Sequence, residues 1–477
     1  MVNNDPITRK FWGLTRPSFA LLTFTLLGCS QPGVVIGSPP SNLPVPAGIQ
    51  VQFNHRDNNR YRSPLGDQWR NGDDLERHLI EHIDRARHEL LVAIQELTLP
   101  QIASALVRAH QRGVIVQVVL ENTYSAPWAD LHESDLPAHA RQRLRRLKAL
   151  ADLDGDGVLT SRERRAGDAV GLLQQGGIPV IDDTEDGSRG SGLMHHKFMV
   201  IDQQLVITGS ANFTSSGIHG DAEAPRTRGN VNHLLSIQSP ELATLFREEF
   251  QILWGDGPGG LQNSRFGKGK PSRPVRSVEV NGLQVDVLFA PHSKRSEDHG
   301  LQLIAQHLST AKHSIDLALF VFSAQSLTDV LAQRVQSGVA IRLLADPGFA
   351  SRSFSEVLDL LGVALPDRFC KLEQGNRPLA KALKGVGSPR LARGDKLHHK
   401  FAVIDKRKVI TGSFNWSPSA AHQNDETLLV IHSPQLAAHF TREIDRMWRG
   451  AELGITPWMR RKLERQRIKC GSGEQRP

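Results

Sequence analysis

The chain has 477 residues, 39% apolar and 23% charged, the make-up of a globular protein long enough for two or more cored domains. Its formal charge is +8; Arg9, Lys10 and Arg16 against Asp5 place +2 of it in the first 28 residues, and the remaining +6 suits an anionic partner, nucleic acid or a lipid surface. The three cysteines, Cys29, Cys370 and Cys470, form no CxxC or Cys/His pattern, which excludes a cysteine-based metal site, and the sequence does not show whether Cys370 and Cys470 approach each other.

The first element is a leader. Arg9, Lys10 and Arg16 precede an apolar run from Phe19 to Leu27, shorter than the roughly 20 residues that span a bilayer. Leu26-Leu27-Gly28-Cys29 then closes the run and resembles a bacterial lipobox, although Leu27, two before Cys29, stands where a small residue is more usual. The expectation is a lipoprotein signal peptide over 1–28, lipidation at Cys29, and an exported protein anchored in a membrane at the periplasm or cell surface. Residues 29–50, rich in Pro, Gly, Ser and Val, read as a flexible tether.

Two long repeats follow. The stretch from Ala86 through Gly113 to Leu120 matches that from Ala311 through Gly338 to Ala345, at an offset of 225. Each copy predicts helix, strand, helix, strand: helical spacing near 75–88 and 300–313, apolar runs near 90–94 and 315–322, helices over 100–112 and 325–337, and strands over 114–120 and 339–345. Strands alternating with helices imply an α/β protein with a parallel or mixed sheet covered by helices. Later, Asn230 to Pro240 matches Asn424 to Pro434 at an offset of 194, and Trp254 and Trp448 close the copies. The expected halves are 51–258 and 281–450. A Gly/Pro-rich basic linker joins them over 259–280, and a basic tail covers 451–477.

The offset falls from 225 to 203 before the middle of each copy, so the first half carries 22 extra residues there. The insertion near 141–175 contains Asp152-Leu-Asp154-Gly-Asp156-Gly157-Val158, followed by Glu163. This spacing fits an EF-hand calcium loop. Asp152, Asp154, Asp156 and Glu163 would bind through carboxylates and Val158 through its carbonyl, while Gly157 makes the sharp turn. A structural Ca2+ ion is the expected ligand.

The chemistry sits in two strings of identical spacing. His195, Lys197 and Asp202 form His-x-Lys-x4-Asp, repeated as His398, Lys400 and Asp405. Each continues into Gly-Ser-x-Asn, giving Ser210 with Asn212 and Ser413 with Asn415. Phe198–Ile201 and Leu205–Thr208 read as strands joined by a short polar turn, as do Phe401–Ile404 and Val409–Thr411. Period two places His195 with Lys197, and His398 with Lys400, on one face. The lysines would balance charge on the non-bridging oxygens of a phosphodiester, and the serines and asparagines would donate hydrogen bonds to them. One histidine would attack phosphorus and the other would protonate the leaving oxygen, then activate water or an alcohol. No cofactor is required for this scheme.

The paired motifs resemble the phospholipase D superfamily over about residues 75–450. The resemblance implies two homologous α-β-α sandwich halves in one bilobal fold, with the motifs meeting at a pseudo-twofold axis. It implies that Asp202 and Asp405, tempting as catalytic acids, fix the strand turn. It also makes Glu426 the carboxylate that orients a motif histidine, with Asn232 as its counterpart. The expectation is that Glu426 backs His398, the general acid, and that His195 is the nucleophile, with Asp221 or Glu223 as substitutes for the missing carboxylate. His196 and His399 would pack on the opposite face, and His219, His233, His422 and His432 would be ordinary polar residues. The expected activity is phospholipid hydrolysis or transphosphatidylation. The basic 264–276 linker and the Arg460–Arg467 tail would attract anionic headgroups. The alternative is an exported metal-independent endonuclease acting on nucleic acid. Both motifs lie in one chain, so a monomer suffices.

Overall fold

The computed structural model describes residues 42–65, 67–184, 192–221, 224, 226–471 and 474–475. The expected leader, Cys29 and most of the expected tether therefore lie outside the described residues. No helix among those described is long and apolar enough to cross a membrane.

In the first half the strands are β1 (Ile49–Phe53), β2 (Arg60–Arg62), β3 (Trp69–Asn71), β4 (Glu89–Ile94), β5 (Ile115–Leu120), β6 (Val180–Asp182), β7 (Lys197–Ile201), β8 (Leu205–Gly209) and β9 (His233–Gln238). The second half holds β10 (Arg276–Val280), β11 (Leu283–Ala290), β12 (Ser314–Leu319), β13 (Ala340–Ala345), β14 (Lys371–Leu372), β15 (Val386–Ser388), β16 (Lys400–Ile404), β17 (Lys408–Gly412), β18 (Glu426–His432), β19 (Glu452–Leu453) and β20 (Glu474–Gln475). The first sheet runs β1-β9-β8-β7-β4-β5-β6, and the second runs β10-β11-β18-β17-β16-β12-β13-β15-β19. β2 pairs with β3, and β14 with β20, outside these sheets.

The sheets are mixed. β4 and β5 pair in parallel, as do β12 and β13, with the helices Pro100–Gln111 and Gln325–Gln336 as crossovers. Strand β4 is buried from Leu90 to Ile94, as expected of a strand covered on both faces. Outer helices, Leu75–Arg85 and Pro100–Gln111 in one half and Gly300–Ser309 and Gln325–Gln336 in the other, pack on separate apolar cores. The helices Pro240–Trp254 and Pro434–Trp448 share one core with the inner faces of both sheets. That shared core makes the halves one body, two α-β-α sandwiches joined back to back.

Main-chain bonds stitch the halves where the motifs begin. His195 N donates to Asp425 O at 2.9 Å, and His398 N to Val231 O at 3.1 Å. Met194 bridges Asp425 and Leu397 bridges Val231, a pairing related by a local twofold.

Several boundaries differ from expectation. The linker ends early, because Arg276–Val280 forms a hairpin with β11. β1 begins inside the expected tether, and the tail contributes β19 to the second sheet. Most of the surplus of 22 residues is the difference between two unlike insertions, 121–179 and 346–385, each lying between the parallel strands of its half; the remainder falls between β6 and His195. Sequence offset shows only their difference in length. Cys370 and Cys470 form a disulfide that ties the second insertion to the C-terminal helix Pro457–Cys470.

Candidate active site

Each motif opens a hairpin. In the turn after β7, Asp202 and Gln203 have φ of 52° and 55°; after β16, Asp405 and Lys406 have 51° and 55°. Two successive left-handed residues make the turn that matches strand twist. Asp202 accepts backbone N–H groups from Arg87, His88 and Glu89, and Asp405 from Lys312, His313 and Ser314. Partial burial opposes their ionisation, but these donors outweigh it and hold both carboxyls below the usual range. They cap the turn at the opposite end of the strand from the lysine. The glycine of each Gly-Ser-x-Asn string permits close strand approach: a Cβ on Gly412, at φ 129°, would lie 2.2 Å from Thr427 O.

The structure brings His195, Lys197, His398 and Lys400 into one buried cluster, with 5%, 1%, 8% and 1% exposure. The orienting partners are crossed. His195 Nδ1 meets Glu426 Oε2 at 2.7 Å, whereas His398 Nδ1 meets Asn232 Oδ1 and Ser210 O, each at 3.0 Å. The expected Glu426–His398 pair is therefore wrong. The twofold puts the start of β18 against the histidine of the other half. Asp221 does not substitute for a carboxylate at His398, since it lies 3.7 Å from Arg146, and Glu223 is outside the described residues. Ser210 O can only accept, so Nδ1 of His398 carries the proton and Nε2 remains for chemistry.

The serine expectation also changes. Ser210 Oγ donates to Asn232 Oδ1 at 2.7 Å, and Ser413 Oγ to Glu426 Oε2 at 2.6 Å. Both hydroxyls hold the orienting residues and are fully buried. Asn212 Nδ2 donates to Gln95 Oε1 at 3.2 Å, and the Oδ1 atoms of Asn212 and Asn415 are buried without a partner.

Lys197 Nζ donates to His195 O at 2.9 Å and Gln95 Oε1 at 3.2 Å. Lys400 Nζ donates to His398 O at 2.7 Å and lies 5.1 Å from the centre of the Phe320 ring. Phe320 also packs 4.6 Å from His398. Gln95 and Phe320 were not anticipated; the signal was available, because they follow equivalent strands at the 225-residue offset. The backbone before each histidine is held alike: Met194 N donates to Asp183 and Leu397 N to Asp346, both at 3.1 Å.

Burial governs the electrostatics. It brings Lys197 down to about 7, opposed by Glu426, and pushes Glu426 up to about 7, opposed by Lys197. Lys400 falls well below its ordinary value through burial and the neighbouring Lys197. Both motif histidines fall well below theirs, first by burial and then by the lysines. A phosphodiester anion among these groups favours the charged forms of the lysines and histidines and opposes their downward shifts.

His196 and His399 occupy the opposite face. His196 bonds Thr427 Oγ1 at 2.9 Å and Glu249 Oε1 at 2.8 Å; His399 bonds Glu443 at 3.1 Å and the His233 ring at 3.0 Å. His233 and His219, expected as ordinary polar residues, are fully buried members of hydrogen-bond networks; His219 joins Tyr61 and Glu76. His422 bonds His292 O at 3.0 Å. The linker is not a cationic face as a whole: Lys270 is buried, donating to Glu249 at 2.5 Å and meeting Asp425 at 2.7 Å, and Arg273 pairs with Glu249. Lys270 thus already supplies the cation among His196, Glu249 and Asp425.

Two further groups hold metal-ligand chemistry. Asp286 lies 3.7 Å from His307 and 3.5 Å from His432 at the far end of β18. In the 152–163 loop the carboxylates of Asp152, Asp154 and Asp156 have oxygens within 4.8 Å of one another. Helices Ala138–Ala151 and Ser161–Gly167 flank that loop, and Gly157 has φ 77°. Glu163 Oε1 accepts Leu153 N at 3.3 Å, so the twelfth-position carboxylate closes back on the loop start. Val158 is exposed. The donor set fits a calcium ion.

The family described as "Cardiolipin synthase, PLD-like domain" matches residues 79–254 and 304–448, one segment in each lobe. The chain is 25% identical over 207 residues to a mitochondrial cardiolipin hydrolase of Chlamydomonas reinhardtii, covering 39% of this chain and 83% of that protein. It is 30% identical over 170 residues to a phospholipase D of Rickettsia bellii, covering 35% and 72%. A phosphatidylserine synthase from Haemophilus influenzae, 13% identical, superposes with a TM-score of 0.52 over 88% of this chain and 93% of that one, a likeness of fold. With that family matched in both lobes, and with two His–Lys pairs converging between them, the chain belongs to the phospholipase D superfamily of phosphodiesterases.

Proposed function

We propose that this chain cleaves the phosphodiester of membrane phospholipids in two steps through a phosphohistidine. The observation that carries the proposal is the crossed clamp, in which each motif histidine is oriented by the other half, so that two imidazoles and two ammonium groups serve one phosphate. His195 Nε2 attacks phosphorus as the bond to the head-group oxygen breaks, and His398 gives that oxygen its proton. Water then attacks phosphorus, His398 takes the proton, and the P–N bond breaks to release phosphatidic acid and free His195. An alcohol in place of water gives transphosphatidylation.

The roles follow from the partners. A phosphorylated imidazole with Nδ1 protonated is cationic throughout its lifetime, and the Glu426 carboxylate beside His195 stabilises that charge. His398 faces an amide and a carbonyl, which hold its orientation without a full negative charge, so its imidazolium gives up the proton more readily. Lys197 and Lys400 balance the non-bridging oxygens.

A lipid substrate is supported by the cardiolipin hydrolase and phospholipase D relatives and by the lipobox-like leader, which would hold an exported enzyme at a bilayer. The net charge of +8 supports nucleic acid as the second reading. One chain contains both halves of the site, consistent with a monomer. The 152–163 loop would hold Ca2+ as a structural clip, through Asp152, Asp154, Asp156, Glu163 and the Val158 carbonyl, away from the reacting atoms.

The test is product analysis of purified protein in EDTA with phosphatidylglycerol, phosphatidylcholine and plasmid DNA. Phosphatidic acid from lipid, and phosphatidylethanol when ethanol is added, support the reading. DNA cleavage without lipid turnover replaces it with the nuclease.

A further inference from the structure

The helix Pro457–Cys470 lies beyond the residues matched by the family. Its inner side is set by Met459, Lys462, Leu463, Gln466 and Cys470, which are buried or half-buried. Three anchors fix that side. Lys462 Nζ donates to Ser351 O at 2.5 Å, Gln466 donates to Asp367 O at 2.6 Å, and Cys470 is bonded to Cys370. A helix held this firmly presents a fixed outer face.

That outer face mixes two kinds of side chain. Trp458, Arg461, Arg465 and Ile468 follow at spacings of three and four, so they form one stripe. All four are exposed, Trp458 by 46% and Ile468 by 81%. The helix carries Arg460, Arg461, Lys462, Arg465, Arg467 and Lys469 against the single carboxylate of Glu464. The anchored segment beside its C-terminal end adds exposed Arg368, Phe369 and Lys371, with Phe369 64% exposed. Lys469 Nζ donates to Arg368 O at 3.2 Å, which places the two basic segments together.

We infer that the outer face of the Pro457–Cys470 helix, with Phe369 beside it, is a docking surface for an anionic phospholipid bilayer. The cations suit headgroup phosphates, and exposed Trp, Phe and Ile side chains suit the boundary between headgroups and acyl chains. Nucleic acid would match the charge but leaves the aliphatic Ile468 without a partner. The helix also walls a cavity of about 570 Å³ with Thr456, Trp458 and Met459. Gly348 and Asp395 line its other side, close in the chain to Asp346 and Leu397, whose bond holds the segment before His398.

The inference rests on the lipid reading, and two measurements keep them apart. Sedimentation binding to phosphatidylglycerol and phosphatidylcholine vesicles uses full-length protein carrying Cys29→Ser, so that no acyl chain on that residue contributes. Turnover of a monomeric short-chain phosphatidylglycerol uses the same protein. The expected result is preferential binding to phosphatidylglycerol vesicles that weakens with salt. Arg461→Glu with Arg465→Glu should reduce it by about tenfold or more, given the contribution of each basic residue near an anionic surface. Trp458→Ala with Ile468→Ala should reduce binding that survives high salt. Neither variant should change turnover of the monomeric lipid or the melting temperature. Equal binding to both vesicle types, undiminished binding by both variants, or capture of duplex DNA with no vesicle binding would each overturn the docking surface. Failure of the Cys29→Ser protein with its helix face intact to turn over monomeric lipid, with vesicle binding retained, would instead count against the lipid reading alone.

Discussion

His195 Nδ1 lies 2.7 Å from Glu426 Oε2, a contact between residues 231 positions apart and from opposite halves of the chain. The carboxylate fixes the ring and stabilises positive charge on it. Glu426→Gln keeps the shape and removes the charge. It is expected to lower kcat by roughly 10²- to 10³-fold with little change in KM, the scale of a lost electrostatic or acid–base contribution. Labelled phosphate should be trapped on His195 and lost in His195→Ala. Label retained in His195→Ala would reverse the two roles.

The pH profile follows from Lys197, which burial brings to about 7. The free protein holds its charged form below that value and loses it above. For a diester that stays a monoanion, such as bis(p-nitrophenyl) phosphate, kcat/KM should fall as pH rises through about 7. The bound anion favours the ammonium, so the corresponding fall in kcat should come at higher pH. Lys197→Arg keeps its charge throughout and should lack that limb, whatever its absolute rate. An alkaline limb that persists in this variant would assign the titration elsewhere.

Asp202 and Asp405 act on stability. Each accepts three backbone N–H groups from the preceding helix–strand connection. Asp202→Ala or Asp405→Ala should each cost about 1–3 kcal/mol, towards the lower end because water reaches these turns. Denaturant titration measures the loss. Turnover by the folded fraction should stay close to wild type.

The Cys370–Cys470 disulfide joins residues 100 positions apart. Replacing both by serine should destabilise the protein by about 2–4 kcal/mol, chiefly by freeing the unfolded chain. Phosphodiester turnover should be retained below the melting transition, since neither residue touches the motif cluster.

Calcium should raise the melting temperature, and EDTA should lower it. Glu163→Gln weakens the twelfth-position ligand and should remove most of that response while leaving kcat unchanged. Isothermal titration with Ca2+ alone checks the site independently of activity.

Much of this architecture was written locally. The strand–helix alternation, the pairing of His195 with Lys197, the polar turn at Asp202 and the helix–loop–helix around Asp152 all depend on neighbours within a few residues. Backbone periodicity and turn chemistry suffice to read them. The second insertion was hidden because an offset between repeats records only a difference in length. Lys270 and Arg273 looked like free basic charge because their partners Glu249 and Asp425 lie elsewhere in the chain.

The sequence by itself determined which groups are available for the proposed chemistry: two imidazoles, two ammonium groups, and one carboxylate and one amide to orient the rings. Only the tertiary structure decided who holds whom. Glu426 is nearer in sequence to His398, yet the pseudo-twofold brings the start of β18 against His195 and leaves Asn232 for His398. Separation along a chain sets the entropy of closing a contact, while the shared core between the two sheets selects which contact is made.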